Sequence, residues 1–448
     1  MSFRAQAESA RMSSRTRLHL RLSTTDALLF TIMVGCGEAY IGAFGLALGL
    51  SEIQVGLLGP VPLLIGAVLQ LLTPRGVQMF HSHKRWVILC TALQAAAFAP
   101  LMIMSARGQG AAWLVFFAAA VYWGANLATG PAWNTWIGTV VPRRIRSRYF
   151  AQRTRIAQLG VVVGLIATGL LLRTGDEGER AQLFLLPFGV AMLARFACIF
   201  LHAGIAEPKP IPTPDRRLPV RELVLGQASA SGGRLLLYML LVQAACNVAA
   251  PFFTPFMLSR LELSYPTYAT VLVAAFLGKI LALPLLGRIS HRFGARTLLW
   301  TGGAGIVPLA GIWALTDHPA ALIVFQLIAG FAWAAYELAT FLLLFDTIPP
   351  TRRTGLLTLF NLLNAVCVTA GAGVGAMLLH HFGDDRHAYH LVFVLSSVAR
   401  LLTLPVLAWV QVPRWARLRQ VVLRPLSIRP NAGPDDRPVL PSMEDAPK

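Results

Sequence analysis

Charge is scarce in this chain, and acid is scarcer than base. Charged residues make up 13% of the sequence, with 20 Asp and Glu against 39 Lys and Arg. Water-soluble domains carry about a quarter charged residues, so this chain falls outside that class. Lysine is nearly missing: only Lys84, Lys209, Lys279 and Lys448 occur. Cysteine is sparse too. Cys36, Cys90, Cys198, Cys246 and Cys367 stand singly inside apolar stretches with no CxxC pair, which argues against a disulfide framework or a metal knot. The patterns HExxH, GxxxxGKS and GxSxG do not occur, nor do His, Asp and Cys cluster at helical spacing within apolar runs. No enzyme activity and no cofactor are therefore expected. "HSHKR" at 81–85 has too few ligands for a metal site.

What is abundant is apolar sequence. Hydrophobic residues make up 56%, and the mean hydropathy is +0.61. Runs of about 20 apolar residues recur, each long enough to cross roughly 30 Å of hydrocarbon as a helix. Twelve spans are predicted, near 26–46, 53–73, 86–105, 112–139, 155–173, 183–204, 235–257, 266–287, 298–315, 319–347, 355–379 and 389–411. The fourth and tenth are long, which implies tilt or extension beyond the bilayer. The expected fold class is an all-α polytopic membrane protein.

The formal net charge of +19 invites a nucleic-acid reading, but its distribution excludes one. Arginines gather in the first 25 residues and in alternate linkers: Arg75 and Arg85; Arg143 to Arg155; Arg216, Arg217 and Arg221; Arg288, Arg292 and Arg296; Arg352 and Arg353. The intervening linkers are bare or acidic, as at Asp176, Glu177 and Glu179. This is the positive-inside pattern, which places both termini on the cytoplasmic side of the cell (inner) membrane. The first 24 residues lack an apolar core and a small-residue cleavage site, so they read as a basic tail rather than a targeting peptide. The predicted layout is a tail at 1–25, a six-helix bundle at 26–204, a Pro-rich linker at 205–233, a second bundle at 234–411, and a polar disordered tail at 412–448.

The two halves repeat. Ala194 and Arg195 match Ala399 and Arg400 at an offset of 205, as do Phe188 and Phe393. "LGLS" after span one matches "LELS" after span seven, and at that offset of 213 Arg75 and Phe80 fall on Arg288 and Phe293. Tandem repeats in one orientation imply two bundles related by an axis along the membrane normal.

With this duplication and the stretch "LLGRISHRFGART", the chain resembles a major facilitator superfamily transporter. The stretch resembles the superfamily's loop signature, Gly-x-x-x-Asp-Arg-x-Gly-Arg-Arg, with Gly287, His291, Arg292, Gly294 and Arg296 in register. Histidine replaces the usual acid. The first-half copy is weaker: Pro74, Gln78, Met79, Phe80, His81. The segment "WNTWIGTVVPRRIRSRYFAQR" resembles one found after span four in poorly characterised bacterial members. Span five lacks the proline of the antiporter signature, so an efflux antiporter is the alternative reading rather than the first. A channel or non-transporting sensor is less favoured, since no continuous polar stripe or charge ring occurs.

The resemblance implies that spans one, four, seven and ten line a central cavity, and that the protein moves a small organic solute by alternating access, as a monomer, with protons as the simplest coupling ion. Ionisable side chains inside spans are costly, so each is a candidate for function. Glu38 and Glu337 are the proton-coupling candidates. Lys279, the one lysine inside a span, is a candidate to hold an anionic group or to pair with an acid. Asn126, Tyr122, Trp123, Gln243, Asn247, Trp333 and Tyr336 complete the candidate cavity. Pro251 and Pro255 are expected to break span seven. "GAGVGA" in span eleven reads as close helix packing. Arg195 and Arg400 read as structural anchors, and Trp133 and Trp136 as residues of the interfacial belt.

Overall fold

The computed structural model describes residues 14–142, 145–173, 180–207, 231–347, 350–383 and 385–410. The Pro-rich part of the linker and the tail after 410 lie outside them. Among the described residues there are twelve helical spans long and apolar enough to cross a membrane, from Ser14–Ala47 and Glu52–Gln70 to Leu359–Phe382 and Arg386–Trp409. Span one starts earlier than predicted: its helix opens at Ser14 and absorbs much of the expected basic tail. The closing residues of the even-numbered spans share one end of the bundle, here termed the basic end; the opposite end is the bare end.

The repeat seen in the sequence is a repeat of helix punctuation. Ser51 caps span two, its hydroxyl accepting from the Gln54 N–H while the Gln54 side chain accepts from the Ser51 N–H. Ser264, at the matching place, caps span eight by accepting from the Thr267 N–H. Two residues before each cap, Gly49 and Glu262 both take positive φ, +82° and +50°. At the far ends of these spans, His81 (φ +50°) and Gly294 (φ +85°) match at the same offset of 213. Glycine takes such a φ at little cost, whereas Glu262 and His81 are strained.

Gly294 also revises the expected loop. The helix of span eight continues past residue 287 through most of the signature, and Gly294 alone breaks the 42-residue run Tyr265–Ile306. The turn between spans eight and nine is thus far shorter than predicted. Gly287 and His291 lie in the helical part, and the His291 side chain is outside the described residues. Arg292 and Arg296 are exposed, with the Arg292 guanidinium 5.2 Å from the Phe293 ring.

Spans one and seven are interrupted at matching heights. The span-one helix ends at Cys36, and Glu38–Tyr40 forms a 3-10 turn before helix resumes. Span seven ends its first helix at Asn247 and passes through a 3-10 turn, Ala250–Phe252, and a π segment, Phe256–Arg260. Pro251 breaks span seven as its chemistry requires. In span eleven, a Cβ on Gly371 would lie 2.2 Å from the Ala244 carbonyl oxygen, and one on Gly375 2.2 Å from that of Val248. The glycine run is therefore the close contact with span seven.

The outer faces are apolar, with Phe200 65% and Leu281 63% exposed, as a lipid-facing surface requires. Inside, one apolar cluster crosses both halves toward the bare end, joining Tyr40 and Phe44 to Phe252, Phe256, Tyr268 and Tyr389. Toward the basic end each half has its own cluster, Leu20 to Ile205 in the first and Leu235 to Val410 in the second. Trp133 and Trp136 belong to the first of these, buried at 2% and 0% exposure. They are not belt residues: the Arg153 guanidinium sits 4.4 Å from the Trp133 ring, and the Trp136 indole donates to the Ala206 carbonyl.

Candidate functional site

The interrupted segments of spans one and seven face each other across a cavity of about 280 Å³. Its lining includes Glu38, Trp123, Asn247, Pro251, Tyr268 and Gln326. A volume of this size takes a small organic molecule. The chain is brought to this geometry by its breaks: where helix is interrupted inside a membrane protein, the irregular backbone is placed against protein or a polar cavity.

Glu38 is half-buried on the cavity wall, and the Tyr122 hydroxyl donates to its Oε2. Tyr122 is itself buried, edge-on to Phe98 and Trp123. Asn247 reaches the cavity, and its Nδ2 also donates to the Gln243 main-chain carbonyl one turn earlier. Gln243 and Asn126 are buried. Of the candidates on spans one, four and seven, Glu38, Trp123 and Asn247 line the cavity, whereas Tyr122, Asn126 and Gln243 are not among its lining residues.

Two further charges inside spans, Lys279 and Glu337, are spent on each other. The Lys279 Nζ lies 2.7 Å from Glu337 Oε1, with side-chain exposures of 3% and 4%. The pair joins spans eight and ten where their backbones nearly touch: a Cβ on Gly330 would meet the Lys279 nitrogen at 2.8 Å. Neither residue is among those lining the 280 Å³ cavity. Tyr336 packs against Tyr238 and Trp333, and Trp333 lines a smaller recess of about 20 Å³ beside the cavity.

Three groupings escaped sequence reasoning. Asp26, at the basic end of span one, is buried among Arg153 (3.2 Å), His202 (3.0 Å) and Arg195 (3.9 Å). It ties spans one, five and six; its signal was an acid at a predicted span boundary. Beside it, Glu207 accepts from the His83 and Lys84 N–H groups at the start of span three, while Lys84 Nζ donates to the Ala203 and Ile205 carbonyls at the end of span six. Each charge thus meets the helix end of opposite polarity.

The third grouping joins the halves at the bare end. Arg260 holds Glu52 through two nitrogens, at 2.8 and 3.2 Å, and the Tyr389 hydroxyl donates to the same carboxylate at 2.5 Å. Arg386 donates to the Arg260 carbonyl and pairs with Asp317 at 2.6 Å. Deeper in, Thr369 donates to the Pro60 carbonyl and Tyr268 to that of Ala39, again across the halves. The residues of this latch are 337 positions apart at most, a separation no local pattern reveals.

Comparison with known proteins gives a concordant result. The family profile described as Major Facilitator Superfamily matches residues 27–269 and 235–430. No curated protein matches the sequence. Among solved structures, a mutant of the nucleoside transporter NupG is similar at TM-score 0.70 and 13% identity, over 88% of this chain and 99% of that one. A bacterial homologue of the iron transporter ferroportin, in its inward-facing state, is similar at TM-score 0.67 and 16% identity, over 87% and 98%. An autoinhibited POT family peptide transporter is similar at TM-score 0.67 and 13% identity, over 92% and 99%.

Proposed function

The chain belongs to the major facilitator superfamily of secondary transporters, and on that premise we propose that it moves a small organic solute through the 280 Å³ cavity by alternating access, coupled to protons at Glu38. The observation that carries this reading is Glu38 itself: a carboxylate on the cavity wall, in an interrupted helix, with Tyr122 as its hydrogen-bond donor. There an acid meets both the solute and any proton admitted with it. Glu337 is the weaker coupling candidate, because Lys279 already neutralises it.

The bundles 26–204 and 234–411 are the two rocking bodies, and the protein works as a monomer in the cell membrane. By the positive-inside rule the basic end is cytoplasmic, so both termini are as well. The core shared across the halves at the bare end, and split toward the basic end, supports a state closed to the outside and open to the cytoplasm. Glu52, Arg260 and Tyr389 are then the outer gate.

Thermal-shift screening of small organic solutes on purified protein, followed by counterflow in proteoliposomes, identifies the solute. With it in hand, Glu38→Gln is expected to abolish accumulation driven by a pH gradient while counterflow persists. Unchanged pH-driven accumulation in that variant removes Glu38 as the proton carrier.

A further inference from the structure

Arg195 and Arg400 stand at matching positions of the duplicated halves, and both are buried, at 1% and 3% exposure. Their charges are treated differently. Arg195 has the Asp26 carboxylate 3.9 Å away and the Phe30 ring 4.9 Å from its guanidinium carbon. Arg400 has no acid within ion-pair reach among the described residues. Its Nη1 donates to the Ile306 carbonyl at 3.0 Å, and its Nε has no hydrogen-bond partner. A buried guanidinium without a counter-charge is costly, so its presence calls for an occupant.

The surroundings show where that occupant would sit. Arg400 lines the 20 Å³ recess together with Gln326, Trp333 and Cys246, and no Asp or Glu is part of this lining. Gln326 is 4% exposed and Trp333 likewise, and neither side chain makes a hydrogen bond among the described residues. The recess therefore combines a cation with amide and indole N–H donors and apolar walls. Ala250, Phe253 and Gln326 line both the recess and the 280 Å³ cavity, so the two adjoin. Its size admits one small polar group and not a whole solute.

We propose that this recess binds the carboxylate of the transported solute, with Arg400 as counter-charge and the body of the solute in the larger cavity. The planar fork of arginine matches a carboxylate, and a single small group matches the volume. The assignment rests on the transporter reading above and sharpens it to monocarboxylic acids. The duplication supplies the contrast: the first half fills the same need with its own Asp26, and the second leaves it to a ligand.

The test uses purified full-length protein and a panel running from acetate to phenylacetate, each acid with its primary amide. At least one carboxylate is expected to raise the melting temperature and to bind about tenfold or more tighter than its amide, as a charged hydrogen bond allows. Arg400→Gln is expected to erase that preference. Gln326→Leu keeps the cation and is expected to weaken the acid several-fold while sparing the amide; it decides the matter should Arg400→Gln not fold. The proposal is overturned by equal binding of acids and amides, or by an acid preference that survives in these variants. It is overturned too if bromide alone stabilises the protein through Arg400 and carboxylates add nothing. Acid binding with no counterflow in proteoliposomes would keep the recess and remove the transporter reading; counterflow of amides and acids alike would do the reverse.

Discussion

Lys279 and Glu337 illustrate what a sequence conveys about a single residue and what it withholds. A lysine and a glutamate inside apolar runs are visible at once, because each is costly there. Their partners are not, because the contact spans 58 positions and depends on how two helices meet. A cavity role and a mutual ion pair read alike until the helices are placed, and at 2.7 Å the pair is the observed arrangement. Removing one member leaves the other buried and uncompensated. Lys279→Met or Glu337→Gln alone is expected to cost about 3–5 kcal/mol of stability, and the double variant less than either. Thermal and denaturant unfolding in detergent measure this; additive losses would mean that the two charges do not act as a pair. Asp26 shows the opposite difficulty. It lies so near the end of an apolar run that it reads as a boundary marker, yet it is buried among two arginines and a histidine.

The elements were far more legible than their contacts. Apolar length alone located the twelve spans, since a helix must satisfy its backbone within the bilayer. Matched tetrapeptides, "LGLS" and "LELS", located the duplication, and both turn out to be capping sites. The break in span one stayed hidden because that span has no proline there, unlike Pro251 in span seven. The caps also expose an imbalance. The residue at positive φ before span two is Gly49, and before span eight it is Glu262. Glu262→Gly is expected to stabilise the protein by about 0.5–1 kcal/mol, the relief of strain exceeding the entropy that glycine adds to the unfolded chain. Gly49→Ala is expected to destabilise it by about 1 kcal/mol through φ alone, since nothing lies within 4 Å of the added methyl. Melting temperatures that move in the opposite directions would refute this account.

At the scale of the whole molecule, the halves are joined at one end and separate toward the other. Positive-inside counting orients such a body but does not say which end is shut. That information lies in contacts between distant residues, above all Arg260 and Tyr389 converging on Glu52. The latch is partly exposed, so its worth is modest, about 1 kcal/mol after screening by solvent. Glu52→Gln is expected to shift the balance between the two end-closed states by about fivefold toward the one open at the bare end. Distance distributions between spin labels on the two bare ends measure the shift. The exchange of both charges, Glu52→Arg with Arg260→Glu, is expected to restore the original distances in part, and identical distributions for all three proteins would show that the latch carries no weight.

The cavity wall has one more property. Trp123 faces the main chamber, while Trp313 and Trp333 flank the recess beside Arg400. Indole emission responds to the polarity and charge around the ring. A solute lying in the chamber with its acid group in the recess would alter both environments, at opposite ends of the same molecule. Chains retaining only one of these tryptophans would report, without any attached dye, whether each compartment is filled and in what order.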